Sequence, residues 1–115
     1  MHILVVEDEF LINLAASDDL ARAGHEVVSA YDADEAIELL ESRPEIELMF
    51  TDVDMPGSMD GLVLAAAVRK RWPPMKIIVT SGTRHLAQTD LPQGGVFLSK
   101  PYFGDRLIEM VETLH

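Results

Sequence analysis

The chain has 115 residues, of which 20 are Asp or Glu and 9 are Lys or Arg, giving a formal net charge of −11. That length fits one domain, and the acidic excess repels phosphate backbones and anionic lipid, so neither a nucleic-acid nor a membrane partner is expected. With no cysteine and 48% hydrophobic residues, the composition excludes disulfide scaffolds, thiolate zinc sites and thiol nucleophiles, and describes a folded chain rather than an acidic tail.

Ile3-Leu4-Val5-Val6 reads as a buried strand, and the acids Glu7-Asp8-Glu9 follow too soon for a signal peptide. From Phe10 to Ala23 there is no proline or glycine, and Gly24 stands where a helix ends. Glu26 to Ala30 is a second strand, and Asp32-x-x-Glu35 opens a helix that Pro44 closes. Ile46 to Thr51 forms a third strand. Asp60-Gly61 precedes a helix from Leu62 to about Trp72, stopped by Pro73-Pro74. Ile77 to Thr80 and Val96 to Leu98 are the fourth and fifth strands, and Phe103, Leu107, Val111 and Leu114 form the apolar face of a last helix. Between Thr83 and Gly95 only His85 to Thr89 offers a turn of helix before Pro92 and Gly94-Gly95 break it. No apolar run approaches the roughly 20 residues of a membrane span. Alternating strands and helices predict an α/β domain over residues 1–115. Its expected architecture is a doubly wound, five-stranded parallel sheet with a short or irregular helix between the last two strands.

In such a sheet ligands bind beyond the carboxyl ends of the strands. Those ends carry Glu7 and Asp8, Asp52, Thr80 and Ser81, and Lys100. Three carboxylates, two hydroxyls and an ammonium on one rim suit a hard divalent cation together with an anionic group. A cation would relieve the mutual repulsion of the acids, and the lysine would meet a phosphoryl oxygen as a point charge. A carboxylate beside the metal is a nucleophile able to form an acyl phosphate. Taken singly, each residue has a structural explanation: Asp8 as a helix cap, Asp52 and Asp54 as turn residues before Met55-Pro56-Gly57, Thr80 as a strand former and Lys100 as a surface lysine. Their joint placement at the same end of successive strands favours the chemical reading.

With these motifs in view, the sequence resembles a two-component response-regulator receiver domain over nearly its whole length. The resemblance rests on Val5-Val6-Glu7-Asp8-Glu9, Thr51-Asp52-Val53-Asp54-Met55-Pro56-Gly57, Met59-Asp60-Gly61, Val79-Thr80-Ser81-Gly82 and Leu98-Ser99-Lys100-Pro101. It implies the flavodoxin-like strand order 2-1-3-4-5. It also implies that Asp52 accepts a phosphoryl group from a phosphohistidine of a sensor histidine kinase or phosphotransfer protein. Mg²⁺, or Mn²⁺ in its place, would be held by Asp8, Asp52 and the main-chain carbonyl of Asp54, with Glu7 acting through water. Lys100 would contact the phosphoryl oxygens, its bond to Pro101 being cis. Thr80 and the aromatic Phe97 would form the switch read by a downstream protein effector. The chain would catalyse only its own phosphotransfer and dephosphorylation, without being an enzyme on other substrates. A free-standing cytoplasmic receiver without an output domain is expected, with homodimerisation open.

Ser81 and Asp54 depart from the family pattern by adding a hydroxyl and a fourth carboxylate near the phosphoryl position. The broken 83–95 stretch falls where part of the usual output face lies. Asp52-Val53-Asp54 also matches the paired aspartates of haloacid-dehalogenase-type Mg²⁺-dependent phosphatases, although there the pair follows the first strand and a cap is usual. A phosphorylation-independent binding module on the same fold is the other alternative, and a flavin carrier fits poorly with acids at the first loop. His2, His25, His85 and His115 lack ligand spacing and read as surface residues, Trp72 reads as packing, and Met55 and Met59 border the site.

Overall fold

The structure is a computed structural model, and it describes residues 1–57, 59–83 and 86–114. In chain order it runs β1 (His2–Val6), α1 (Phe10–Arg22), β2 (Glu26–Ala30), α2 (Ala33–Ser42), β3 (Leu48–Asp52), α3 (Gly61–Arg71), β4 (Lys76–Ser81), β5 (Val96–Ser99) and α4 (Gly104–Leu114). All strand pairs are parallel, in the order β2-β1-β3-β4-β5. The expected doubly wound sheet and its flavodoxin-like order are therefore observed.

Alternation along the strands divides the core into two layers, because successive side chains leave opposite faces of a sheet. Leu4 and Val6 of β1 join Met49, Ile77 and Val79 beneath α2 and α3, where Ala36, Leu40, Leu64 and Val68 are buried. Ile3 and Val5 turn the other way, to Phe50 and Ile78, beneath Ala16 and Leu20 of α1 and Leu107 and Val111 of α4. Burial on both faces explains why these strands read as continuous apolar runs.

Local signals set the helix ends. Gly24 has φ 99° directly after the cap residue Ala23, the left-handed position that glycine fills without strain. The Asp32 carboxylate accepts the Glu35 N–H at 2.8 Å, while the Glu35 carboxylate reaches one residue further back, to the Tyr31 N–H. Asp60 accepts from the N–H groups of Leu62 and Val63 and so starts α3. The third strand begins two residues later than the sequence suggests, at Leu48 rather than Ile46, and extends through Asp52.

Two expectations need correction, and one structural alternative falls away. Phe103 does not join the apolar face of the last helix: it lies before α4 and is 83% exposed, and Leu107 and Val111 carry that face. Asp8 does not cap α1, whose cap position is Glu9 without a side-chain bond. His25 is half-buried, with both ring nitrogens shielded from solvent; His2 is exposed, and His85 and His115 lie outside the described residues. Trp72 packs against the α2–α3 layer as expected, with Arg71 stacked on its ring.

Between β4 and β5 the only helical geometry among the described residues is the 3₁₀ turn Gln88–Asp90. The rest of the described stretch is coil tied down by polar contacts. The Arg69 guanidinium of α3 donates to the Gln93 carbonyl at 2.8 Å, and the Gln88 amide donates to the Gly95 carbonyl at 2.8 Å. The short, irregular helix expected here is thus reduced to a single turn.

Candidate functional site

The carboxyl ends of β1, β3, β4 and β5 bring together the residues read from the sequence. One carboxylate oxygen from each of Glu7, Asp8 and Asp52 lies within 4.8 Å of the others. Lys100 Nζ donates to Glu7 Oε1 at 2.9 Å and approaches Asp52 Oδ1 at 3.4 Å. Glu7 and Asp52 are buried, and Asp8 is half-buried.

Crowding acids under partial burial raises their affinity for protons. Burial first, then the charge of Glu7, pushes the Asp52 carboxyl up to about 6, against the pull of Lys100 and the Asp54 N–H. Burial also raises Asp8, helped by its hydrogen bond with Glu7. Burial disfavours the Lys100 cation, but the Glu7 hydrogen bond and the Asp52 and Glu7 charges outweigh it and hold the ammonium above its ordinary range. Three carboxylates facing one ammonium leave an unneutralised negative charge, and all the donors are hard oxygens. That donor set fits a hard divalent cation such as Mg²⁺.

Asp52 and Thr80 are register partners across β3 and β4. Thr80 is 2% exposed, and its Oγ1 has no hydrogen-bond partner among the described residues. A buried, unsatisfied hydroxyl costs about 1–3 kcal/mol, so its position beside the carboxylate calls for an explanation.

The Asp54 side chain is not part of the Glu7–Asp8–Asp52 cluster found among the described residues. Its carboxylate accepts from Ser81 Oγ at 2.8 Å, and Ser81 Oγ also accepts the Thr83 N–H at 3.3 Å. The extra hydroxyl and the fourth acid singled out in the sequence therefore engage each other, from the end of β4 to the loop after β3. Phe97 lies half-buried on β5 opposite Val79 and belongs to neither core layer. Lys100–Pro101 is a cis peptide bond.

Two contributors escaped the sequence reading. Tyr102 packs edge-on against Phe50, with centroids 5.8 Å apart, and burial followed by the charges of Glu7, Asp19 and Asp52 keeps its phenol protonated. Asn13 of α1 is 1% exposed and donates to the carbonyls of Glu7 and Ala30. The available signal for Asn13 was its spacing, three and seven residues before the buried Ala16 and Leu20, which puts an amide on an apolar stripe.

The model of the response regulator receiver domain family matches residues 3–112. Response regulator protein FleR of Pseudomonas aeruginosa is 35% identical over 112 residues, covering 95% of this chain and 23% of that protein. The solved receiver domain of NtrX from Brucella abortus superposes with a TM-score of 0.88 at 34% identity, covering 97% of this chain and 96% of that one. Response regulator protein TrrA of Thermotoga maritima, solved in complex with Mg²⁺ and beryllofluoride, superposes with a TM-score of 0.86 at 30% identity, covering 99% and 98%. The chain spans about a quarter of the length of the curated relatives it matches first. A family match over this span, on this fold, settles the haloacid-dehalogenase and flavin-carrier alternatives against those families. The chain belongs to the response regulator receiver domains of two-component signal transduction, the family in which a receiver serves as phosphoacceptor.

Proposed function

We propose that Asp52 is the phosphoacceptor and that the donor is a phosphohistidine of a sensor histidine kinase or phosphotransfer protein. A carboxylate oxygen of Asp52 attacks phosphorus; the new P–O bond forms as the P–N bond breaks, and the leaving imidazole takes the electron pair and a proton from solvent. Water later attacks the same phosphorus, releasing inorganic phosphate and restoring the carboxylate. Glu7, Asp8, Asp52 and the Asp54 main-chain carbonyl would hold Mg²⁺, or Mn²⁺, with Glu7 acting through water. When bound, the cation neutralises the acids and withdraws charge from the phosphoryl oxygens. Lys100 would exchange its Glu7 contact for a phosphoryl oxygen.

The observation that carries this reading is the buried Thr80 hydroxyl, without a partner among the described residues, on the register partner of Asp52. A phosphoryl group on Asp52 supplies the acceptor that Thr80 lacks, so one state gains a hydrogen bond the other does not have. Phe97, on the adjacent strand, would repack as Thr80 moves, and Ser81 and Pro101 would border the phosphoryl group. Beryllofluoride with Mg²⁺, a stand-in for the acyl phosphate, tests the assignment. It is expected to raise the unfolding temperature of the wild-type chain and leave Asp52→Asn unchanged; an equal rise in both would place the anion elsewhere. Thr80→Val is expected to stabilise the metal-free chain by about 1 kcal/mol, because it removes an unsatisfied hydroxyl at constant shape. The same variant should bind beryllofluoride without the chemical-shift changes that spread to β5 in the wild type. A destabilised variant that still shows those changes would remove Thr80 from the switch.

Asp54 and Ser81 tune the lifetime of the phosphoryl group. The Ser81 hydrogen bond turns the Asp54 carboxylate toward β4, and its charge, two residues from Asp52, repels an approaching hydroxide or phosphate. Asp54→Asn is expected to change the dephosphorylation rate several-fold, on the order of 1 kcal/mol in barrier height. Identical decay rates for variant and wild type would sink that role.

The donor must reach Asp52 past α1 and the β5–α4 loop. Leu11 is 75% and Leu14 52% exposed there, as is Phe103, and this apolar margin beside an acidic rim suits a helical kinase surface. The downstream partner is a protein effector; a second copy of the chain is the alternative partner. No helix among the described residues is long and apolar enough to cross a membrane, and the cytoplasm is the proposed location.

A further inference from the structure

Asn13 is the buried polar residue whose cost the core does not explain. Of the inward positions of α1, Ala16 and Leu20 are apolar, and a leucine at position 13 would serve packing. A buried amide is tolerated only when its groups are satisfied. Here both N–H groups are used, on the carbonyls of Glu7 and Ala30, each at 3.0 Å. Asn13 Oδ1 accepts from Ser17 Oγ at 3.1 Å, and Ser17 shares a 3.0 Å hydrogen bond with Ser29 on β2.

The network converges on one residue, Glu7. The Glu7 N–H donates to the Ala30 carbonyl at 3.1 Å, and the Glu7 carbonyl is held by Asn13. Its side chain is held as well, Oε2 by the Glu9 N–H at 3.1 Å and Oε1 by Lys100 at 2.9 Å. The planar peptide that carries the Glu7 carbonyl also carries the Asp8 nitrogen, so fixing its oxygen fixes the direction in which Asp8 departs. We propose that Asn13 is a positioning residue for the acidic site: by clamping the Glu7–Asp8 peptide to the end of β2, it sets the affinity for the divalent cation. This inference rests on the reading that Glu7, Asp8 and Asp52 hold that cation. Without Asn13, the Ala30 carbonyl keeps the Glu7 N–H, but the Glu7 carbonyl loses its side-chain donor and turns to find another, and Asp8 moves relative to Asp52.

The test measures Mg²⁺ binding alone by titration calorimetry, and then the Mg²⁺ dependence of phosphorylation by acetyl phosphate. Asn13→Ala is expected to weaken Mg²⁺ binding by about 10-fold, the usual effect of losing a group that orients a ligand. The Mg²⁺ concentration for half-maximal phosphorylation should rise by the same factor, while the rate at saturating Mg²⁺ stays within about 2-fold of wild type. Asn13→Ser, which keeps one donor, should fall between the two and serves if the alanine variant does not fold. Lower thermal stability with wild-type Mg²⁺ affinity would reduce Asn13 to a packing role and overturn the proposal. A rate lost even at saturating Mg²⁺ would overturn it too, by showing general disorganisation of the site. Weakening in Asp52→Asn but not in Asn13→Ala defeats this inference alone; no binding by the wild-type chain defeats the reading of the acids beneath it.

Discussion

Asp52→Asn is expected to flatten the pH dependence of stability in the metal-free chain. In the folded chain the Asp52 carboxyl titrates at about 6, against 3.8 without the site around it. Between those values the folded state binds more protons than the unfolded state, so stability falls as pH rises through the window and levels off above about 6. A shift of this size corresponds to at most about 3 kcal/mol lost by neutral pH. Asp8, also raised, acts with the same sign. Glu47 is lowered by the His2 N–H it accepts, which works in the opposite direction, but it is fully exposed. Lys100, raised above 10.5, contributes stability that is lost only far to the alkaline side. Urea unfolding in EDTA from about pH 4 to about pH 8 should therefore show a falling midpoint in the wild type and a shallower fall in Asp52→Asn. Adding Mg²⁺ at neutral pH should restore the wild type, because a ligand of the folded state stabilises it by mass action. Parallel pH profiles for the two proteins would show that Asp52 does not bear the strain of the acidic rim.

Gly61→Ala is expected to be the most destabilising small substitution near the site. A Cβ at position 61 would lie 2.0 Å from the Asp52 carbonyl oxygen and 2.8 Å from the Val53 Cα, both backbone atoms that cannot swing aside. Gly61 also donates its N–H to the Val53 carbonyl at 3.0 Å, so the first turn of α3 rests directly on the end of β3. Relieving the overlap means lifting α3 or displacing the Asp52 peptide, at about 3 kcal/mol or more. Gly57→Ala is the matched control: it has φ 112° and open space at the Cβ, so it carries only the left-handed backbone penalty of about 1 kcal/mol. Urea midpoints for the two variants should separate by more than half of that difference. Below its unfolding range, Gly61→Ala should also accept phosphoryl groups more slowly, since the peptide that carries Asp52 has moved. Equal stability of the two variants would mean the contact is soft.

These contacts also mark where sequence reading succeeds and where it stops. The strands were legible because both faces of a covered parallel sheet demand apolar residues, so Ile3 to Val6 and Ile77 to Val79 stand out as unbroken runs. Asp60 and Gly24 were legible because caps and left-handed turns need particular residue types. The rim residues were legible through topology: parallel strands deliver their carboxyl ends to one edge. Other features depend on tertiary contact that no local pattern encodes. Glu7 looks like one more acid in a run, yet it is gripped by the Glu9 N–H and by Lys100 from 93 residues away. Ser81 and Asp54 each looked like an added polar group, and only packing turned them toward each other. Phe103 fits the period of the last helix, but that helix begins after it.

The most direct test is intact mass after incubation with Mg²⁺ and acetyl phosphate, for the wild-type chain beside Asp52→Asn. One added phosphoryl group on the wild type, absent in EDTA and absent from the variant, is the expected result. An adduct on both proteins, or none on a wild-type chain that binds Mg²⁺ but not beryllofluoride, would contradict Asp52 as the phosphoacceptor.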